Sequence, residues 1–237
     1  MRHAGQILSE TLDLLERFAK VGMSTLELDA IAEKFIRGHE GCTPGFKGYH
    51  GFKGSICTSI NHEAVHGIPS AHRILKEGDI LGMDAGVYYK GLHTDACRTV
   101  ILGEVDPKIR QFVKVTKEAL QRGIKQVKPK GHIGDISAAI QETLERYDYG
   151  IVRDCTGHGV GHNLHEPPEI MNVGRKGTGP LMEAGMVLAI EPISAMGKGA
   201  ILTAKDNWTL YTKDGSLSAH FEATVLVTET GYEILAK

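Results

Sequence analysis

The chain has 237 residues, 27 basic and 29 acidic side chains and a net charge of −2. This length predicts a single domain, residues 1–237, and the balanced charge argues against a nucleic-acid or membrane-surface binder. No apolar run is long enough to span a bilayer, and the charged, amphipathic N-terminus is unlike a signal peptide. The four cysteines form no C-x-x-C pair, which argues against a zinc knuckle or a disulfide framework and favours reduced thiols in the cytoplasm.

The first half of the chain begins with two predicted helices. Apolar side chains recur at helical spacing between residues 4 and 20, which predicts a helix with one face toward the core. Ser24 and Glu27 have the spacing of a capping box, so a second helix should start there and run to about Ile36. A glycine-rich stretch then leads to a strand predicted at residues 55–60.

Residues 80–102 have the pattern of a β-hairpin whose two-residue turn is Lys90-Gly91. This turn would place Asp84 and Asp95 on one face as diagonal neighbours. Because the flanking residues are mostly apolar, the two carboxylates should be buried, where they must be protonated, paired with a base or bound to a cation. A pair of exposed strand aspartates is the alternative, and a turn one residue longer would separate the faces. The predicted cross-strand pairs are Asp84 with Cys97 and Gly86 with Asp95.

An internal repeat links the two halves of the chain. Residues 21–33 resemble residues 130–142, and residues 76–86 resemble residues 182–192 at nearly the same offset. This similarity predicts a duplicated α+β unit, with chance similarity between amphipathic helices as the alternative. The repeat sets Asp84 against Glu191.

The second half should therefore hold the counterpart of the hairpin. After predicted helices at 107–127 and 134–146, a strand at 151–155 leads into a glycine-studded turn. Strands at 186–193 and 220–228 carry Glu191 and Glu222, which the repeat predicts to face the two aspartates across a pseudo-twofold axis. The turn contains His158, His162 and His165.

The acidic residues and one histidine of these segments form a candidate metal site. Four carboxylates and one imidazole would balance the charge of two divalent cations, and such donors suit Mn, Fe(II), Co or Zn. Paired cations can ionise a water and polarise a carbonyl or phosphoryl group, so the predicted chemistry is metal-assisted hydrolysis. The candidate ligands are Asp84, Asp95, His158, Glu191 and Glu222.

Five motifs in the same order and spacing resemble the type I methionine aminopeptidases of peptidase family M24. They are HGIP from His66, MDAGVYYKGLHTDACRT around Asp84 and Asp95, GHGVGHNLHEPP from Gly157, AIEP at Glu191, and SAHFEATVLVT around Glu222. No long insertion separates the last two motifs, unlike in the type II enzymes. The resemblance implies an α+β pita-bread fold, in which two pseudo-symmetric halves hold a dinuclear metal site between antiparallel strands.

The resemblance also implies a role for each site residue. Asp84 would chelate one metal, Asp95 and Glu222 would bridge both, and His158 and Glu191 would complete the other. Glu191 is in addition a candidate proton shuttle. His66 and His165 match histidines that contact the substrate and stabilise the tetrahedral intermediate. The matching substrate-pocket residues are Tyr49, His50, Phe52, Cys57 and Trp208, for whose aromatic members ordinary core packing is the alternative.

The implied activity is removal of the initiator methionine from nascent chains when the second residue is small. The expected protein is a cytoplasmic monomer in transient contact with the ribosome, with no nucleic-acid substrate and no membrane partner. No zinc-binding N-terminal extension is present, so no dedicated ribosome-docking module is expected. One alternative is an X-Pro aminopeptidase or prolidase, although those relatives carry a further domain. Another is a catalytically inactive protein- or RNA-binding member of the fold, although such members lose metal ligands.

Overall fold

We describe the fold from a computed structural model of residues 1–237. In the first half, two helices pack against an antiparallel sheet in which the longest strands form a hairpin. One edge of β4 pairs with both β1 and β2, and its other edge pairs with β5 along its full length. The elements are α1 (Arg2–Phe18), α2 (Thr25–Arg37), β1 (Cys42–Pro44), a 3-10 turn (Tyr49–Gly51), β2 (Ile56–Ile60), β3 (Glu63–Val65), β4 (Ile80–Tyr89) and β5 (Leu92–Ile101).

The start of α2 has the capping box that the sequence predicts. The Ser24 hydroxyl accepts a hydrogen bond from the Glu27 N–H, and the Glu27 carboxylate accepts one from the Ser24 N–H at 2.7 Å. Farther along the helix, the buried Asp29 carboxylate accepts hydrogen bonds from the N–H groups of Ser55 and Ile56. The helix therefore fixes the beginning of β2, which leads toward the hairpin.

The hairpin has the predicted turn and the predicted register. Lys90 and Gly91 both have positive φ, 48° and 84°, as a two-residue turn matched to the strand twist requires. Asp84 lies opposite Cys97 and Gly86 opposite Asp95, which confirms that the two aspartates lie on one face. Met83, Ala85 and Val87 of β4 point to the opposite face, where they are fully buried in the cluster with α1 and α2.

The second half repeats the plan of two helices on an antiparallel sheet. Its main sheet has the strand order β15-β14-β9-β7-β8, and β13-β10-β6 form a separate three-stranded sheet. In another three-stranded sheet, β11-β12-β3, the strand β3 comes from the first half of the chain. The elements are α3 (Pro107–Ile124), α4 (Ile133–Glu145), β6 (Gly150–Ile151), β7 (Gly157–Gly159), β8 (Glu166–Ile170), β9 (Val187–Ile190), β10 (Ile193–Ala195), β11 (Ile201–Thr203), β12 (Leu210–Thr212), β13 (Ser218–His220), β14 (Ala223–Val227) and β15 (Tyr232–Ala236).

Each half has its own hydrophobic core. A cluster of 18 buried residues joins α1 and α2 to the first sheet, and a cluster of 22 joins α3 and α4 to the second. This arrangement agrees with the α+β duplication predicted from the internal repeat. None of the helices combines the length and apolar character needed to cross a bilayer.

Three predicted strands are shorter than expected. The strand predicted at 186–193 is divided between β9 and β10, because Pro192 has no N–H to continue the ladder. The strand predicted at 220–228 is divided at Phe221-Glu222, where the backbone of Glu222 pairs with the other half of the molecule instead. The strand predicted at 151–155 is reduced to Gly150–Ile151, since the charged residues that follow turn toward solvent.

The two halves meet along an antiparallel seam between β5 and residues 220–224. At its centre, the Glu222 N–H donates to the Cys97 carbonyl at 2.9 Å, and the Cys97 N–H donates to the Glu222 carbonyl at 3.4 Å. On each side of this central pair, a threonine hydroxyl donates a hydrogen bond to the carbonyl of a residue across the seam and accepts one from the N–H of the same residue. These two threonine clamps are Thr224 on Asp95, at 2.6 and 2.9 Å, and Thr99 on His220, at 2.7 and 3.0 Å.

Candidate metal centre and substrate pocket

A cavity of about 290 Å³ opens beside the seam, and all the residues that the sequence analysis assigns to the site line it. Carboxylates and imidazoles form one part of its lining, and aromatic and aliphatic side chains form another. The predicted lining residues are Tyr49, His50, Phe52, Cys57, His66, Asp84, Asp95, His158, His165, Glu191, Trp208 and Glu222.

The polar part of the lining gathers donor atoms from both halves of the chain. Single donor atoms of Asp95, His158 and Glu222 lie within 4.8 Å of one another, and all three residues are buried. His158 Nε2 is 4.0 Å from Asp95 Oδ2 and 3.7 Å from Glu191 Oε1. The other ring nitrogen of His158 lies 2.9 Å from the Gly159 carbonyl, and this contact favours a proton on Nδ1 and a free lone pair on Nε2.

No lysine or arginine lines the cavity to balance its carboxylates. One oxygen each of Asp84, Asp95 and Glu222 is buried without a hydrogen-bond partner. Burial raises the pKa of the Asp84 carboxyl to about 7, and burial together with neighbouring carboxylates raises the pKa of Asp95, Glu191 and Glu222 well above their usual values. Buried, unpaired carboxylates are unfavourable unless protons or cations compensate them, so this donor set fits divalent cations.

Burial keeps His66, His158 and His220 of the cavity in their neutral form. Burial, with a smaller contribution from neighbouring histidines, lowers the pKa of His66 and His158 to about 4 and that of His220 to about 3. A neutral imidazole is the form that binds metals and that can donate a hydrogen bond without carrying charge.

The apolar part of the lining forms a pocket. Phe46, Phe52, Cys57 and Leu164 form a small buried cluster against which Tyr49 and Trp208 pack. The rings of Phe52 and Trp208 meet edge to face, with their centroids 5.0 Å apart. Burial raises the pKa of the Cys57 thiol well above its usual value, so the group stays protonated. Aromatic rings and a thiol provide a polarizable lining suited to a flexible thioether side chain.

His165, His66 and His50 also line the cavity. The Tyr49 hydroxyl lies 3.0 Å from His165 Nδ1, and the His165 ring is 4.3 Å from the His158 ring. His66 and His50 both have positive φ, 60° and 46°, a backbone conformation that is uncommon for residues other than glycine.

Four lining residues were not among the sequence predictions: Phe46, Val65, Leu164 and His220. The first three are apolar residues in loops or strand ends, which no sequence pattern distinguishes from core. His220 did carry a signal, because it precedes Glu222 by two residues and alternate residues of an extended chain share a face. Its Nε2 atom lies 3.6 Å from Glu191 Oε2.

Comparison with known proteins agrees with this architecture. The family model described as metallopeptidase family M24 matches residues 1–229. The structure superposes on the prolidase from Pyrococcus furiosus with a TM-score of 0.80 at 25% identity, covering 100% of this chain and 62% of that one. The chain therefore belongs to metallopeptidase family M24 and has the pita-bread fold.

The more similar relatives all come from one branch of that family. Methionine aminopeptidase of Clostridium acetobutylicum is 48% identical, over 99% of this chain and 94% of that protein. Methionine aminopeptidase 1 of Bacillus subtilis is 46% identical, over 100% of this chain and 95% of that protein. The crystal structure of methionine aminopeptidase from Thermotoga maritima superposes with a TM-score of 0.98 at 42% identity, over 100% and 95%. Within family M24, the chain groups with the type I methionine aminopeptidases.

Proposed function

We propose that this protein is a metal-dependent aminopeptidase that removes the N-terminal methionine from proteins and peptides whose second residue is small. The observation that carries the proposal is the shape of the cavity. An apolar pocket closed by Phe52 and Trp208 opens onto the same space as an uncompensated set of buried carboxylates. A methionine side chain in the pocket would bring the first peptide bond toward those carboxylates.

The metal would be held by residues from both halves. Asp84 would bind one cation, Asp95 and Glu222 would bind both, and His158 and Glu191 would bind the other. Four carboxylates and a neutral imidazole balance two divalent ions, and the oxygen-rich donor set suits Mn, Fe(II), Co or Zn. When bound, such ions polarise the peptide carbonyl and lower the pKa of water.

The other polar residues of the cavity have distinct tasks. The Tyr49 hydroxyl can donate to His165 Nδ1, which leaves His165 Nε2 protonated. His66 and His165 then act as neutral donors to the carbonyl oxygen, where negative charge develops as the peptide bond is attacked. Glu191 accepts the proton of the attacking water and returns it to the leaving amine.

Because the initiator methionine becomes accessible as a chain leaves the ribosome, we propose nascent polypeptides in the cytoplasm as the substrates. The protein would meet them as a monomer in transient contact with the ribosome.

Peptide hydrolysis tests the proposal. The metal-stripped protein is reconstituted anaerobically with Mn(II), Fe(II) or Co(II) and incubated with Met-Ala-Ser, Leu-Ala-Ser and Ala-Pro-Ala. We expect release of methionine from the first peptide, with little cleavage of the other two. Cleavage of Ala-Pro-Ala alone would replace the substrate by that of an X-Pro aminopeptidase, and no cleavage by metal-loaded protein would refute the proposed activity.

A further inference from the structure

The imidazole of His220 is a buried group of the cavity that has no part in the proposed function. Its backbone is fixed across the seam, because Thr99 Oγ1 accepts from the His220 N–H and donates to the His220 carbonyl. The residue is 4% exposed, and its Nε2 atom has no hydrogen-bond partner. A buried polar atom without a partner is unfavourable, so its retention inside the cavity calls for a specific role.

The nearest acidic group to this nitrogen is the carboxylate of Glu191. Glu191 lies between two imidazoles, with Oε1 at 3.7 Å from His158 Nε2 and Oε2 at 3.6 Å from His220 Nε2. The second distance is longer than a direct hydrogen bond, and a rotation that shortens it by about 0.7 Å brings it to the usual length. One carboxylate oxygen is therefore directed toward the candidate ligands and the other toward His220.

We propose that His220 is a positioning residue that donates its Nε2–H to Glu191 Oε2 and thereby directs Glu191 Oε1 toward the metal. His220 is not itself one of the ligands. A hydrogen bond to the outer oxygen of a ligating carboxylate fixes its orientation, and losing such a partner typically lowers metal affinity about 10–100-fold. This inference rests on the proposed metal centre, to which it adds His220, the residue held by the Thr99 clamp.

Two substitutions separate the donor from the bulk of the side chain. His220→Gln keeps an N–H group near the same place, whereas His220→Leu keeps an apolar volume and removes the donor. Ser218→Ala is the matched control, because Ser218 lies on the same strand and its hydroxyl donates to the Ser194 carbonyl at 2.8 Å without lining the cavity. Thermal unfolding of the metal-free proteins measures any general loss of structure.

The readouts are the dissociation constant for Co(II), measured by calorimetry, and the visible absorption spectrum of the bound Co(II). We expect H220L to bind Co(II) about 10–100-fold more weakly, with a changed spectrum. H220Q should retain most of the affinity, and S218A should match the wild type. Wild-type affinity and spectrum in H220L would overturn the proposal, and so would equal losses in H220L and H220Q.

A measurement on the unmodified side chain does not depend on either variant folding. In the Zn(II)-loaded protein labelled with ¹⁵N-histidine, His220 should be the neutral tautomer with its proton on Nε2, and that proton should exchange slowly. A proton on Nδ1 would overturn the proposal. Failure of the proposed function is distinguishable from failure of this proposal, because in that case the wild-type protein would bind Co(II) without cleaving Met-Ala-Ser.

Discussion

Replacing Asp84 by asparagine should stabilise the metal-free protein at neutral pH, although it removes a proposed metal ligand. The pKa of the Asp84 carboxyl is raised from 3.8 to about 7, first of all by burial. At pH values between these two pKa values, Asp84 therefore keeps its proton in the folded protein and releases it in the unfolded chain. The unfolded state binds fewer protons in this window, so the contribution of Asp84 to stability falls as the pH rises from about 4 to about 7.

The size of the effect follows from the same shift. Each pH unit within the window costs about 1.4 kcal/mol, so the wild type loses about 3 kcal/mol through Asp84 between pH 4.5 and pH 7. The amide of D84N has nearly the same shape, cannot ionise, and can donate to the neighbouring Asp95. Relative to the wild type, the variant should thus gain up to about 3 kcal/mol on going from pH 4.5 to pH 8.

Urea unfolding of chelator-treated protein, followed by circular dichroism at pH 4.5 and pH 8, measures this gain. Asp106→Asn is the matched control, because Asp106 is an exposed N-cap of α3 and asparagine serves there equally well. An excess of Mn(II) at pH 8 should make the wild type more stable than D84N. Only the wild type keeps the full ligand set, and ligand binding stabilises the folded state. The same stability difference between D84N and wild type at both pH values would refute the account of uncompensated burial.

Three further substitutions test other parts of the structure. Asp95→Ala should abolish turnover and metal binding while the protein remains folded, because it removes a carboxylate whose buried oxygen has no partner; full turnover by this variant would contradict the ligand assignment. His66→Ala should lower turnover with metal content unchanged, as atomic absorption can verify, and a loss of metal would instead make His66 a ligand. Ser24→Ala should reduce the free energy of unfolding by about 1 kcal/mol through loss of the α2 cap, whereas an unchanged urea midpoint would show that the capping box contributes nothing.

Much of the fold could be predicted because it depends on residues close together in the chain. The Lys90-Gly91 turn sets the register of the hairpin, and that register decides which face Asp84 and Asp95 share. The start of α2 likewise depends on Ser24 and Glu27, three residues apart. In these cases the interacting groups lie on one element, so spacing alone specifies their geometry.

The strand interruptions could not be predicted from local spacing. Glu222 has the surroundings of a continuous strand, yet its backbone pairs with Cys97, more than a hundred residues earlier. That pairing competes with the local ladder, and only the packing of the two halves decides between them. The apolar pocket is a similar case, because Phe46, Leu164 and Trp208 come from separate loops whose patterns resemble ordinary core.

The sequence by itself determined which groups are available for the chemistry: the five candidate ligands, the histidines and the duplicated plan of the chain. Only the tertiary structure decided how they meet. The seam places Asp95 beside Glu222 through the two threonine clamps, and it brings His220 to Glu191. The physical reason is that these contacts join strands from different halves, whose relative register is set by the hydrogen bonds across the seam and by two separate hydrophobic cores rather than by any turn.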